Sequence, residues 1–138
     1  VYCTFDGELT QGAEYVNGQY TYRYKQEGKY ASSGLAWQNI TSDGWGVQLT
    51  DKTSTEPVTS KLCTYINNKP VVSMSYMFYK SQATRIDLSS FNTSNIINMT
   101  NMFSTSQATK GYAKTQTDAN KFNASSSKPA ALTFIIKT

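Results

Sequence analysis

Side-chain chemistry near neutral pH usually runs through histidine, cysteine or paired carboxylates, and this chain of 138 residues contains no histidine. That removes Ser–His and Cys–His nucleophiles and most zinc sites. The 9 Asp and Glu residues are mostly solitary. A glycosidase needs two carboxylates facing one cleft. The closest spacing here is Asp6 with Glu8, which reads as a solvated strand edge. Asp43-Gly44 reads as a turn rather than a metal loop, and no glycine-rich phosphate cradle occurs. The expectation is a chain that is not an enzyme and that takes no cofactor and no metal. The two cysteines, Cys3 and Cys63, lack Cys-x-x-Cys spacing, so they form either one disulfide or two buried thiols. A bridge would close a long loop, worth about 4 kcal/mol in the chain-entropy model.

The remaining chemistry is that of recognition. Charged residues are only 16% of the chain, while aromatics reach 13% with 10 Tyr. This is not the profile of a disordered chain, and Tyr gives large contact area at low entropic cost. A surface rich in Tyr, Thr, Ser and Asn suits extracellular and virion proteins. The net charge of +4 comes from single, scattered Lys and Arg. Nucleic-acid binding wants a basic stripe interleaved with aromatics. Tyr20-Thr21-Tyr22-Arg23-Tyr24-Lys25 is the one weak candidate, and no nucleic-acid partner is expected. No stretch approaches the ~18 apolar residues of a membrane span, so no membrane insertion is expected. No signal-peptide pattern appears, and the abrupt start at Val1-Tyr2-Cys3 reads as a processed or excised piece of something larger. Sequons at Asn39, Asn92, Asn98 and Asn123 arise by composition and are not read as glycosylation sites.

The elements that would position these side chains are announced by a repeat. "SMSYMFYKSQAT" at 73–84 recurs as "NMTNMFSTSQAT" at 98–109, an offset of 25 residues (99 − 74 = 25 for the first Met). A fixed offset of that size marks stacked units. Ile86 and Leu88 alternate with Arg85, Asp87 and Ser89, a strand with one buried face. Ile96, Met99, Met102 and Phe103, like Val71, Met74, Met77 and Phe78 before them, fall on one helical face. The pattern predicts helices near 71–79, 95–104 and 117–123 and parallel strands near 84–89, 109–114 and 132–137. "TQTDANKFNAS" then reads as a wet-faced capping helix, and "ALTFIIKT" as a last strand with Leu132, Phe134 and Ile136 inward.

The first seventy residues differ. "AEYVNGQYTYRYK" predicts a β-hairpin turning at Asn17-Gly18, pairing Tyr15 with Tyr20 and Ala13 with Tyr22. Trp45, Val47 and Leu49 alternate as another strand, "EGKYASSGLAW" reads as a loop, and "VTSKLCTYINNK" reads as a short helix with Leu62 and Ile66 inward. Two regions follow: 1–70, a β-rich N-terminal cap with the hairpin, and 71–138, the repeats with a C-terminal capping unit.

At "IDLSSFNTSNIINMTNMF" the chain resembles the BspA-like leucine-rich repeat, also called the mycoplasma lipoprotein-associated repeat. The residues that carry the likeness are Ile86, Asp87, Leu88 and Ser89, then Phe91 to Ile96, then Asn98, Met99, Thr100, Met102 and Phe103. Asn92 stands where the family usually has Asp, and its frequent turn Cys is absent. The resemblance implies an α+β fold: a short leucine-rich-repeat solenoid of strand–turn–helix units of 25 residues behind the β-rich cap. It implies an extracellular adhesion module on a bacterial surface, meeting a cell-surface glycan or protein. The N-terminal half looks like the leader of short members encoded by prophages of gut Firmicutes, which implies the receptor-binding part of a phage virion. The alternative is a structural virion component, such as a capsid decoration or tail protein, contacting only other virion proteins. Either setting is oxidising and favours a Cys3–Cys63 bridge.

With Ile86 and Leu88 inward, Arg85, Asp87 and Ser89 face outward. The repeat offset sets Lys110, Tyr112 and Lys114 beside them, and Thr133, Ile135 and Lys137 follow on the last strand. Such a face suits an anionic glycan or an acidic protein patch, with Tyr112 for stacking, or it is an idle solvated surface. The hairpin offers a second face, Tyr15, Tyr20, Tyr22 and Tyr24, which either stacks on sugars or a partner or packs on Trp37 or Trp45. The Met–Phe pairs read as core rather than a cofactor box.

Overall fold

The computed structural model describes residues 1–25, 40 and 43–138; the expected loop at "EGKYASSGLAW", with Trp37, and the sequon at Asn39 lie outside them. In chain order the elements are β1 (Tyr2–Cys3), β2 (Glu14–Asn17), β3 (Tyr20–Tyr24), β4 (Trp45–Leu49), β5 (Tyr65–Ile66), β6 (Lys69–Ser73), β7 (Arg85–Leu88), a 3-10 turn (Thr93–Asn95), β8 (Lys110–Ala113), α1 (Gln116–Asn123) and β9 (Thr133–Ile136). They form a six-stranded mixed sheet, ordered β1-β5-β6-β4-β3-β2, and a three-stranded parallel sheet, β7-β8-β9.

The expected α+β leucine-rich-repeat solenoid of strand–turn–helix units is overturned. Strand dominates, and α1 is the one α-helix among the described residues. No helix forms at 71–79 or 95–104. Val71-Val72-Ser73 ends β6, pairing with β4, and the Met–Phe segments that follow are successive turns. Met77 N–H bonds Met74 O at 3.1 Å and Ser81 N–H bonds Phe78 O at 3.1 Å, with Tyr76 at φ 57° and Lys80 at φ 59°. The second copy repeats this with Asn101 at φ 51° and Thr105 at φ 53°. A positive φ at the third position of each turn is incompatible with a right-handed helix.

The backbone groups a helix would satisfy internally point sideways instead. The N–H groups of Met74, Tyr76, Phe78 and Lys80 bond the carbonyls of Asn98, Thr100, Met102 and Ser104 at 2.8–3.0 Å. The 25-residue offset therefore records a ladder between copies. Asn101 Nδ2 donates to the Tyr76 hydroxyl at 2.9 Å, and the rings of Phe78 and Phe103 stack at 5.6 Å and 4°. The repeated Ser-Gln-Ala-Thr has a local reason: the Ser81 and Ser106 hydroxyls, buried, accept the N–H groups of Ala83 and Ala108.

The parallel strands lie at the expected 85–88, 110–113 and 133–136, in register Arg85–Lys110–Thr133 and Asp87–Tyr112–Ile135. Gly111 takes the place of Ile86 in the second copy because a Cβ there would stand 2.4 Å from the Phe134 ring. Ile136, expected inward, is 41% exposed, whereas Leu132 and Phe134 are buried. Helix α1 forms where expected because Thr115 caps it: its hydroxyl accepts Asp118 N–H and donates to Asp118 Oδ2. Asp118, itself buried, also accepts the Thr93 hydroxyl at 2.6 Å, tying the helix to the 3-10 turn 25 residues earlier.

In the N-terminal region the hairpin forms with its pairing slipped by two. Asn17 opposes Tyr20 and Tyr15 opposes Tyr22, so the turn residues are Gly18, at φ 59°, and Gln19. A slip of two keeps every side chain on its expected face. The expected helix at 58–69 is absent. Asn67 and Asn68, both at positive φ, turn β5 into β6 as a tight hairpin, while Leu62 and Ile66 are fully buried. Cys3 and Cys63 are joined by a disulfide, and the Asn17 amide lies 3.7 Å from each sulfur. Strand β4 runs parallel to β6, so the six-stranded sheet extends across the 70/71 boundary, which falls inside β6.

Two Asn carboxamides act as surrogate peptide groups. Asn67 accepts Phe5 N–H and donates to Phe5 O, both at 2.9 Å. Asn123 accepts Phe134 N–H at 2.8 Å and donates to Phe134 O at 3.0 Å.

Candidate functional site

The outer face of the three-stranded sheet is built by alternation. Ile86, Leu88, Gly111, Ala113 and Phe134 are buried, so the intervening residues project outward. Segment 57–60 extends the sheet: Val58 N–H bonds Arg85 O and Asp87 N–H bonds Val58 O, each at 2.9 Å. Over this outer face lies an open groove of about 630 Å³, lined by Arg85, Asp87, Tyr112, Ile135 and Lys137 with residues 57–60.

The groove is electrostatically lopsided. Lys137, just past the end of β9, reaches across β8 to place its Nζ 2.6 Å from Asp87 Oδ2. Burial alone would raise the Asp87 carboxyl, but the Lys137 ammonium and the Ser89 hydroxyl and N–H outweigh it and hold the pKa below the usual value. Asp87 is thus ionised, paired and spoken for. Arg85 and Lys110 differ: they are direct neighbours on adjacent strands, both exposed, and neither has an acidic side chain within 4.0 Å among the described residues. Like charges directly opposite one another repel, which raises the positive potential at that place.

The expected ligand face is therefore only partly assembled. Arg85, Asp87 and Tyr112 line the groove, and Lys110 stands at its Arg85 end by register. Ser89 serves Asp87, donating its N–H at 2.9 Å. Lys114 belongs elsewhere: it lines a separate hollow of about 270 Å³ with Asn92, Ser94, Thr117 and Lys121. Residues 57–60 were missed as lining because no repeat copy contains them. Their only sequence signal is Pro57 before Val58, which suits a strand start.

The tyrosine face is core. Tyr20, Tyr22 and Tyr24 are buried, and the Tyr22, Tyr24 and half-buried Tyr15 rings engage one another or Trp45 at 5.2–6.5 Å. Their hydroxyls have partners: Tyr20 donates to Thr59 O, and Tyr22 accepts Cys63 N–H, both at 2.9 Å. Burial pushes both phenols well above the ordinary tyrosine range. Arg23, in the stretch considered for nucleic acid, is ion-paired with Glu14 at 2.8 Å. Among the described residues no group of three or more His, Cys, Asp or Glu could hold a metal ion, and no helix is long and apolar enough to cross a membrane.

No curated protein and no solved structure matches the chain. A family model described as "Mycoplasma protein of unknown function, DUF285" matches residues 52–134, which run from before β5 into the start of β9 and take in the Arg85, Asp87 and Tyr112 part of the groove but not Ile135 or Lys137.

Proposed function

The chain belongs to the DUF285 family, and from that premise we propose that it is a non-enzymatic recognition module that binds a glycan or protein on a cell surface through the groove of the three-stranded sheet. The likeness of its repeats to BspA-like surface proteins supports an extracellular setting, on a bacterial surface or a phage virion. The observation that carries the reading is the groove itself: a concave site flanked by Arg85 and Lys110, cations with no acidic side chain within 4.0 Å among the described residues. A non-enzymatic role fits its composition, since Asp87, the one Asp or Glu among its described lining residues, is engaged by Lys137.

The test is binding of labelled protein to bacterial and host cells, comparing wild type with Arg85→Ala/Lys110→Ala/Tyr112→Ala. Recognition through the groove weakens by about tenfold, or 1.4 kcal/mol, in the variant. Unchanged binding by a folded variant rejects it.

A second reading, a structural virion component with no independent ligand, has its own support in Ile135 and Ile136, 51% and 41% exposed at the open edge of the sheet. Apolar side chains so placed suit packing against a neighbouring subunit. Sedimentation separates the two: a monomer that binds cells favours the module, and an obligate oligomer that binds none favours the assembly part.

A further inference from the structure

Resting on the recognition reading, we infer that the ligand of the groove is an acidic polysaccharide, bound with an anionic group between Arg85 and Lys110 and a sugar ring on Tyr112. Three observations lead there.

The first is charge. Adjacent parallel strands lie about 4.8 Å apart, so Arg85 and Lys110, opposite each other in register and both exposed, root two long cationic side chains side by side, where both can reach one anion. The other charges of the face are already neutralised, because Lys137 is consumed by Asp87. The free positive potential is therefore concentrated at one end of the groove, beside Tyr112 rather than over it. The second is shape. A groove of about 630 Å³ lies within the roughly 300–1,000 Å³ range of small-molecule sites and accommodates one or two sugar rings. An acidic protein patch needs a broad face, about 800 Å² per partner, which this concavity interrupts. The third is the floor. Tyr112 and Ile135 are adjacent in register, and Ile135 is exposed. That gives an apolar strip on which the C–H face of a pyranose can stack, with the Tyr112 hydroxyl left for a sugar hydroxyl.

The anion can be a carboxylate, a sulfate or a phosphodiester, and the probes distinguish these sources. Oligogalacturonate, dextran sulfate and a phosphodiester-bearing phosphomannan are titrated into the intact protein by calorimetry, with methyl-esterified oligogalacturonate as a neutral control of the same backbone. Binding is expected for at least one acidic polymer. It should weaken about tenfold in Arg85→Ala/Lys110→Ala, fall with added NaCl, and remain unchanged in Lys114→Ala, whose side chain lines the other hollow. Tyr112→Leu, which keeps an apolar side chain, should weaken binding without altering its salt dependence. Equal affinity for the methyl ester, full affinity in the double variant, or tighter binding of polyglutamate than of any glycan overturns the inference. So does failure of all three acidic polymers. If cells are still bound through Arg85 and Tyr112 when the polymers fail, the recognition role stands and the acidic-glycan assignment alone is lost.

Discussion

Lys52 has an amine that burial has pushed down to about 8. It donates to Tyr76 O at 2.8 Å, lies 5.9 Å from the Tyr79 ring centre, and has no acidic partner within 4.0 Å among the described residues. Because the folded pKa lies below the unfolded one, the unfolded chain binds the proton more tightly. Stability therefore rises with pH from about 8 toward the ordinary lysine value near 10.4. Tyr20 and Tyr22 act in the opposite sense: their raised pKa values give stability that is complete below about 10 and is lost as pH rises further. The urea midpoint should climb between about pH 8 and 9.5 and fall above 10. Lys52→Met should remove the climb, and identical profiles for the two proteins would refute the assignment. Thr105 makes another single-residue case. A β-branched residue at φ 53° is strained, so Thr105→Gly should raise stability by about 0.5–1 kcal/mol in denaturant titration. At this scale the tyrosine alternation and the outward Arg85 and Asp87 could be read in the sequence. The positive φ values of Tyr76, Lys80 and Thr105 could not, since none is a residue that prefers them.

The Met–Phe segments gave a misleading element. Apolar residues at i, i+3 and i+4 mark one face of a helix, but successive turns that bury every third or fourth residue leave the same trace. Met74, Met77 and Phe78 are fully buried either way, so burial was legible and conformation was not. The strands were legible because Ile86 and Leu88 alternate with Arg85 and Asp87, a period that helices and turns do not produce. α1 was legible through its polar composition and its place in the repeat, whereas the Thr115 cap that starts it was not read from the sequence. Phe103 joins these elements: it stacks on Phe78, meets Phe122 edge-on at 6.1 Å and contacts Phe134 at 4.9 Å. Phe103→Ala removes the ring shared by both copies and α1. It should cost about 3–5 kcal/mol in equilibrium unfolding, whereas Ile97→Ala, at a side chain 70% exposed, should change little. A cost below about 1 kcal/mol for Phe103→Ala would contradict the packing.

Across the molecule, the disulfide spans a sequence separation of 60, from the first strand to the residues just before β5. Chain-entropy reasoning assigns it about 4 kcal/mol. Reduction, or Cys3→Ser/Cys63→Ser, should lower the unfolding free energy by roughly that amount; an unchanged midpoint would show that the closed loop contributes nothing. The groove was only half legible for a related reason. Its strands come from the repeat, but residues 57–60 reach it through Val58 pairing beside Ile86, a long-range contact that no period announces. The carboxamide of Asn123 has a consequence for molecules in number. A stack of parallel rows is a template on which an identical chain can be laid, and repeated addition of this kind yields polymers. Lys137 N–H bonds Ala113 O, so the intervening Phe134 turns its N–H and C=O away from β8, toward any incoming copy. Asn123 occupies both groups, and an arriving strand finds its first docking point filled by a side chain. Asn123→Leu should leave most of the fold intact yet convert a soluble species into one whose light scattering grows with concentration and time. In this way a single amide side chain keeps the template from being copied.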